Sequence, residues 1–304
     1  MKIAILGMGG IGGVVGAALA KNHDGIYFIA RGETLKAIKE NGLKLNSDLL
    51  GSYFVSPELA TENPDDIGPV DALIVSTKSY GLDAALRQCE NIITEETIVL
   101  PLLNGISVSD DCERILNKKA EYAEGSIFIF SNIVKPGEIV HVGKMCRIVF
   151  GFKDGRKTKK AEKLADMLTS SGINTQLSDN IMVTAWEKYI MMCGNSCVLS
   201  FFECNAGEVR SSPERYAFIK EVYSELAEIA RAKGIKIPED IVEKNMGAFN
   251  YLPDNATTSL YRDLKENKEH TEFESIIGKA ARMADETGVP APCVKKAYAK
   301  YKGR

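Results

Sequence analysis

The sequence predicts an α/β protein: a Rossmann-type, mostly parallel sheet domain followed by an all-helical C-terminal domain. Three observations predict it. Apolar strand-like runs alternate with helical patterns in the first part of the chain, a glycine motif joins the first such run to the first helix, and after about Asp179 long helical patterns take over with few strand signals. The boundaries follow as 1–179 for the sheet domain and 180–304 for the helical one.

Lys2–Leu6 is a β-branched apolar run, Ile11–Ala20 has helix-forming alanines behind its glycines, and Ile26–Ala30 is a second apolar run, which together make one βαβ unit. Further strands are expected at Ala72–Ser76, Ile98–Leu102 and Ser126–Phe130. Leu43–Leu45 and Tyr53–Val55 alternate like a small inserted hairpin. From Ile133 to Phe152 short strands with Gly and Pro turns read as antiparallel hairpins closing the sheet edge. Beyond them, Ile181–Leu199, Pro213–Lys233, Pro238–Ala248 and Glu272–Thr287 carry apolar residues at three- and four-residue spacing. Pro213 and Pro238 suit first helical turns, and Gly234 and Gly288 suit the residues after helix ends. A ligand is expected in the cleft between the two domains.

Composition narrows the function. With 304 residues, 45% hydrophobic and 26% charged, and a formal net charge of −3, the chain is an ordinary globular protein without the basic stripe that nucleic-acid binding needs. No apolar stretch approaches the ~18 residues of a membrane span, and the apolar start Met1–Gly7 is short and runs into glycines, so it reads as a strand and not a signal peptide. Seven dispersed cysteines fit a reducing, cytoplasmic setting. Cys193, Cys197 and Cys204 have no paired ligand spacing, so no metal is expected.

Gly7-Met8-Gly9-Gly10-Ile11-Gly12 is a G-x-G-x-x-G in the required context, directly after a strand and opening a helix. The first glycine permits the tight turn, the second lets backbone approach a pyrophosphate, and the third lets helix and strand pack closely. At the end of the second strand stands Ala30-Arg31-Gly32, where a guanidinium suits the 2′-phosphate of NADPH; Glu33, two residues on, is the competing acceptor for an NAD ribose. The third and fourth strands run on to Lys78, placed to meet a phosphate or a substrate carboxylate, and Asn104, placed to hold a substrate carbonyl or the cofactor ribose.

The helix from Ile181 carries a lysine among apolar residues, and Asn195 and Ser196 follow it at seven and eight residues, which the spacing puts along one stripe with Lys188. Lys188 either snorkels its ammonium to water or faces a cleft as a functional cation. Glu272 and Glu274 diverge by about 200° on a helix of ~3.6 residues per turn and cannot act as a pair. His270 reads as an exposed residue near a helix start.

Gly7-x-Gly9-x-x-Gly12, Arg31, Lys78, Asn104-Gly105, Trp186-x-Lys188, Ser259 with Asp263, and His270-Thr271-Glu272 together resemble, in order and spacing over nearly the whole chain, the 2-dehydropantoate 2-reductases, or ketopantoate reductases. The resemblance implies a helical domain of the 6-phosphogluconate dehydrogenase type and NADPH-dependent reduction of ketopantoate to pantoate, toward pantothenate and coenzyme A. By the same resemblance Lys188 is the general acid, Glu272 binds the substrate hydroxyl, and Asn104 stands between nicotinamide and substrate. Asn195, Ser196 and Ser259 fall to the substrate, and Gly7, Met8, Gly9, Gly10, Ile11, Gly12, Arg31, Lys78 and Asn104 to the cofactor.

The chain departs from that family's pattern in two places. Asparagines are common one turn and eight residues after the lysine, where this chain has Met192 and Ser196, and the Ser259–Glu272 interval is one residue longer. Both bear on substrate identity more than on reaction class. The alternatives are a related NADPH-dependent 2-keto acid reductase and a non-catalytic NADPH-sensing protein. A small 2-keto acid is the expected partner, with a homodimer left open.

Overall fold

The computed structural model describes residues 1–303, and the chain divides into two units: Met1–Leu103 with Ser107–Ile181, and Asn104–Ile106 with the chain from Met182 on. In the first unit the elements run β1 (Ile3–Leu6), α1 (Gly10–Asn22), β2 (Ile26–Ile29), α2 (Gly32–Asn41), β3 (Leu43–Ser47), β4 (Gly51–Val55), β5 (Leu59–Thr61), β6 (Ala72–Val75), α3 (Leu82–Gln88), β7 (Ile98–Pro101), α4 (Val108–Leu116), β8 (Glu121–Tyr122), β9 (Glu124–Lys135), β10 (Glu138–Gly151), α5 (Lys159–Ser170) and β11 (Asn174–Leu177).

Six strands form an all-parallel sheet in the order β5-β2-β1-β6-β7-β8. β1, β6 and β7 are buried along their whole length, because helices cover both faces, and so they are written as unbroken apolar runs. Register places Leu6 beside Ile29 on one side and Val75 on the other. The residues that follow, Gly7, Ala30-Arg31 and Ser76-Thr77, therefore emerge side by side at one edge.

The antiparallel segments depart from expectation. Ser126–Phe130 is not a strand of the parallel sheet; it lies within β9, which pairs with β10. β3 and β4 do form a hairpin, but β3 pairs in parallel with β10, giving a second sheet in the order β11-β10-β3-β4 with β9 on the other side of β10. This sheet does not close the edge of the first. Its alternating inner residues, including Leu43, Leu45, Ile139, Ile148 and Phe150, pack with Val14 and Val15 of α1 in one core. The contact is close enough that a Cβ at Gly13 would meet Ile139 Cγ1 at 2.5 Å.

The second unit is helical: α6 (Ile181–Phe202), whose first residue groups with the sheet unit, α7 (Ala206–Arg210), α8 (Pro213–Ala232), α9 (Ile241–Asn250), α10 (Ser259–Lys265), α11 (Lys279–Thr287) and α12 (Pro292–Tyr301). α6 is central, with Trp186, Tyr189, Ile190, Cys193, Cys197 and Val198 all buried. Gly194 permits the close crossing of α8, since a Cβ there would sit 2.3 Å from the Tyr223 ring. Two predicted starts move. α9 begins three residues after Pro238, behind Asp240, and the helix expected from Glu272 opens instead with a single π-helical turn, Glu274–Gly278, that runs into α11. Among the described residues no helix is long and apolar enough to cross a membrane.

Candidate active site

In the first unit the three adjacent strand ends border a groove of about 190 Å³, lined by Gly7, Met8 and Gly9 of the glycine turn, Ala30, Arg31 and Thr34 after β2, and Thr77, Ala85 and Gln88 after β6. Gly7 has a φ of 92°, which only glycine adopts without strain. Gly12 has no room for a side chain: a Cβ would lie 2.0 Å from the Gly7 carbonyl oxygen. Ser76 steadies the same turn by donating its hydroxyl to the Gly7 carbonyl at 2.8 Å. Gly9 differs, because a Cβ there would meet no protein atom within 4 Å. Glycine at this position serves no packing inside the chain, and it is the position at which backbone must come close to a pyrophosphate. Gly10, by contrast, abuts Ser131 of β9, and Ile133 reaches the groove wall, so the second sheet contributes to it.

Arg31 is exposed and borders the groove, whereas Glu33 is exposed and does not line it. Lys78 is also exposed and stands one residue beyond the lining. These residues fit a nicotinamide dinucleotide: open backbone at Gly9, the amino end of a 13-residue helix for the phosphates, and a cation at the β2 end.

In the second unit Lys188 of α6 is half-buried, and its Nζ donates to Asn104 Oδ1 at 3.4 Å. Burial drives the lysine down from its ordinary 10.5 to about 8, with the nearby Glu272 carboxylate opposing the fall. Glu272 is 5% exposed and sits two residues before the π-turn, ahead of Phe273. That turn is bound to α6: Tyr189, the neighbour of Lys188, donates its hydroxyl to the Ile276 carbonyl at 2.6 Å, and Cys193 Sγ points at the same oxygen at 3.7 Å. Single π-turns recur at functional sites. Asn104 comes from a strained connection, with Gly105 at φ 136° and Ser107 in the left-handed region at φ 52°. So the structure brings together Lys188, Asn104 and Glu272.

The other expected residues have different surroundings. Asn195 is half-buried and its Oδ1 accepts from the Tyr223 hydroxyl at 2.5 Å. Ser196 is only 1% exposed. The single stripe expected from spacing fails for Ser196 because eight residues at ~3.6 per turn put it about 80° away from Lys188, while Asn195 at seven is about 20° away. Ser259 is the exposed first residue of α10 behind the Thr258 cap, and His270 is exposed. Thr34, Thr77 and Gln88 were not read from the sequence. The position of Thr77 after β6, facing the glycine turn, was the available signal.

Comparison with known proteins agrees with this layout. The family model "Ketopantoate reductase PanE/ApbA" matches residues 3–155, and "Ketopantoate reductase PanE/ApbA C terminal" matches residues 180–304. The chain belongs to the ketopantoate reductase family. It is similar to the 2-dehydropantoate 2-reductase of Pyrococcus abyssi, 28% identical over 100% of this chain and 98% of the relative. Among solved structures it resembles 2-dehydropantoate 2-reductase from Methylococcus capsulatus, with a TM-score of 0.88 and 25% identity over 99% of this chain and 96% of that one. It also resembles D-mandelate dehydrogenase in its ternary structure with NADH and anilino(oxo)acetate, with a TM-score of 0.83 and 25% identity over 99% and 98% of the two chains. As a member of the ketopantoate reductase family the protein is an oxidoreductase.

Proposed function

We propose that the protein reduces 2-dehydropantoate to pantoate with NADPH, on the route to pantothenate and coenzyme A. The observation that carries this reading is the half-buried Lys188, its amine 3.4 Å from Asn104 and its charge countered by Glu272. When bound, NADPH supplies the hydride to C2 of the ketone. The amides of Gly7–Gly12 and the start of α1 receive the pyrophosphate, Arg31 pairs with the 2′-phosphate, and Lys78 adds positive charge nearby.

Lys188 gives its proton to the carbonyl oxygen as that oxygen becomes an alkoxide. An amine near 8 is mostly charged at neutral pH yet yields its proton more readily than an ordinary lysine, and positioned acid catalysis of this kind is worth about 10²–10⁴-fold. The Asn104 amide oxygen holds the amine in direction. Glu272 keeps the amine charged and accepts a hydrogen bond from the substrate hydroxyl.

The test is purified protein with NADPH and ketopantoate, followed by the loss of reduced-cofactor absorbance. Turnover on ketopantoate supports the reading; no turnover, with turnover on another 2-keto acid, replaces it with a second reading. That second reading, a reductase of a 2-keto acid with an apolar side chain, is favoured by Met192, half-buried one turn after Lys188, and by the likeness to D-mandelate dehydrogenase. A panel of branched and aryl 2-keto acids separates the two.

A further inference from the structure

A π-helical turn holds one residue more than an α-helical one, so relaxing Glu274–Gly278 into α-helix would swing the residues ahead of it about 100° round the axis, at ~3.6 residues per turn. Glu272 is among them: its carbonyl accepts from the Ile276 amide at 3.0 Å, so it moves with the turn. Side chains hold the turn from two sides. On the exposed side Arg282 donates to the Glu274 carbonyl at 2.8 Å, and from the interior Tyr189 donates to the Ile276 carbonyl at 2.6 Å. Tyr189 is fully buried, with its ring edge-on to Trp186 at a centroid distance of 5.6 Å, so the direction of its hydroxyl is set by packing. Cys193 Sγ, one turn along α6, reaches the same oxygen only at 3.7 Å and is the weaker donor.

We propose that Tyr189 is a positioning residue: by fixing the π-turn through the Ile276 carbonyl, it sets the Glu272 carboxylate against the amine of Lys188. The inference rests on the reading of Lys188 as the proton donor. Lys188 and Tyr189 are consecutive on α6, so one stretch of helix both presents the amine and anchors the segment that carries its counter-charge. Their spacing is then set by α6 and not by the exposed residues Glu266–His270 that lead into Glu272. The carboxylate opposes the fall of the lysine, so moving it away carries the amine further below about 8. Phenylalanine at 189 keeps the ring packing and removes only the donor.

Tyr189→Phe, Glu272→Gln and the double variant, made in the full chain, test this, with Cys193→Ala as control. Titration of Lys188 is followed without substrate by NMR of carbon-labelled lysine side chains, its signal assigned by its loss in Lys188→Met. Glu272→Gln is expected to lower the Lys188 midpoint by about one unit or more, the effect of removing a close opposite charge. Tyr189→Phe lowers it by a smaller step in the same direction and adds nothing once Glu272 is glutamine, while Cys193→Ala leaves it near wild type. For keto acid reduction kcat/KM falls about three- to tenfold in Tyr189→Phe, within the range of coupling between residues in contact, and by less than about twofold further in the Glu272→Gln background. A midpoint that Tyr189→Phe does not move, a loss of the same size with and without Glu272, or an equal shift in Cys193→Ala overturns this inference alone. A wild type that reduces no 2-keto acid overturns the reading of Lys188 as proton donor, and the substrate-free titration still decides whether Tyr189 places the carboxylate.

Discussion

Lys188→Met should gain stability as it loses activity. A lysine moved from its ordinary 10.5 to about 8 is one that the folded protein holds charged at a penalty. At 1.36 kcal/mol per pKa unit the penalty is about 3 kcal/mol at neutral pH, an upper bound because the lysine side chain as a whole keeps partial contact with solvent. Methionine keeps the unbranched stem and removes the charge. At pH 7 both folded and unfolded wild type carry the proton, so the full penalty is present and the variant should melt several degrees higher. Between about pH 8 and 10.5 the unfolded chain binds the proton and the folded one does not, so wild-type stability rises with pH and the gap closes. Reduction of the keto acid should fall by about 10²–10⁴-fold in the same variant, with NADPH affinity nearly unchanged. Scanning calorimetry at pH 7 and pH 10, beside the absorbance assay, measures both. Equal rates in the two proteins refute the acid; a variant less stable than wild type at pH 7 refutes the desolvated, charged amine on which the assignment stands.

In wild type the reduction rate should decline as pH rises past about 8, where Lys188 loses its proton, and the reverse oxidation should increase over the same range; a flat profile counts against Lys188. Arg31→Ala should weaken NADPH by about tenfold or more and leave NADH within a few fold, measured by titration, since a charge-assisted bond is worth about 1.5–3 kcal/mol; parallel losses would return the ribose to Glu33. Gly9→Ala should leave the melting temperature unchanged while weakening NADPH, whereas Gly12→Ala should lower both, because its Cβ lands 2.0 Å from a backbone oxygen that cannot move aside. Glu225→Ala should lose about 1–3 kcal/mol in denaturant unfolding, as the buried carboxylate accepts from the amides of Cys293 and Val294 at 2.8 Å and caps α12.

How much of this could be read in the sequence depended on what each segment packs against. Ile3–Leu6, Ala72–Val75 and Ile98–Pro101 are legible because a strand covered on both faces must be apolar throughout. β5, β8 and β11 are three, two and four residues long, too short to show a period, and they exist through the backbone bonds their neighbours offer. β9 and β10 show alternation, which specifies a buried face without naming the sheet. The pairing of Ile139 with Leu45 that makes the second sheet joins distant segments and leaves no local mark. The π-turn is likewise silent in sequence, since what supports it is a tyrosine and a cysteine on another helix pointing at one carbonyl.

Helix α6 shows the limit of spacing arguments and what replaces them. Residues seven and eight apart look equivalent on paper, yet the second has turned about a quarter of the way round, and Ser196 is buried while Asn195 is half-buried. The same geometry puts Met192, four residues from Lys188, only about 40° off its line and half-buried, so a thioether stands nearer the Lys188 face than the serine does. A ligand held at Lys188 meets an apolar, deformable neighbour there in place of a hydrogen-bonding one. Met192→Asn should therefore shift kcat/KM toward keto acids bearing a hydroxyl and away from apolar ones, without moving the pH profile that Lys188 sets. Loss of rate on every substrate alike would mean that Met192 supports the helix and does not border the ligand.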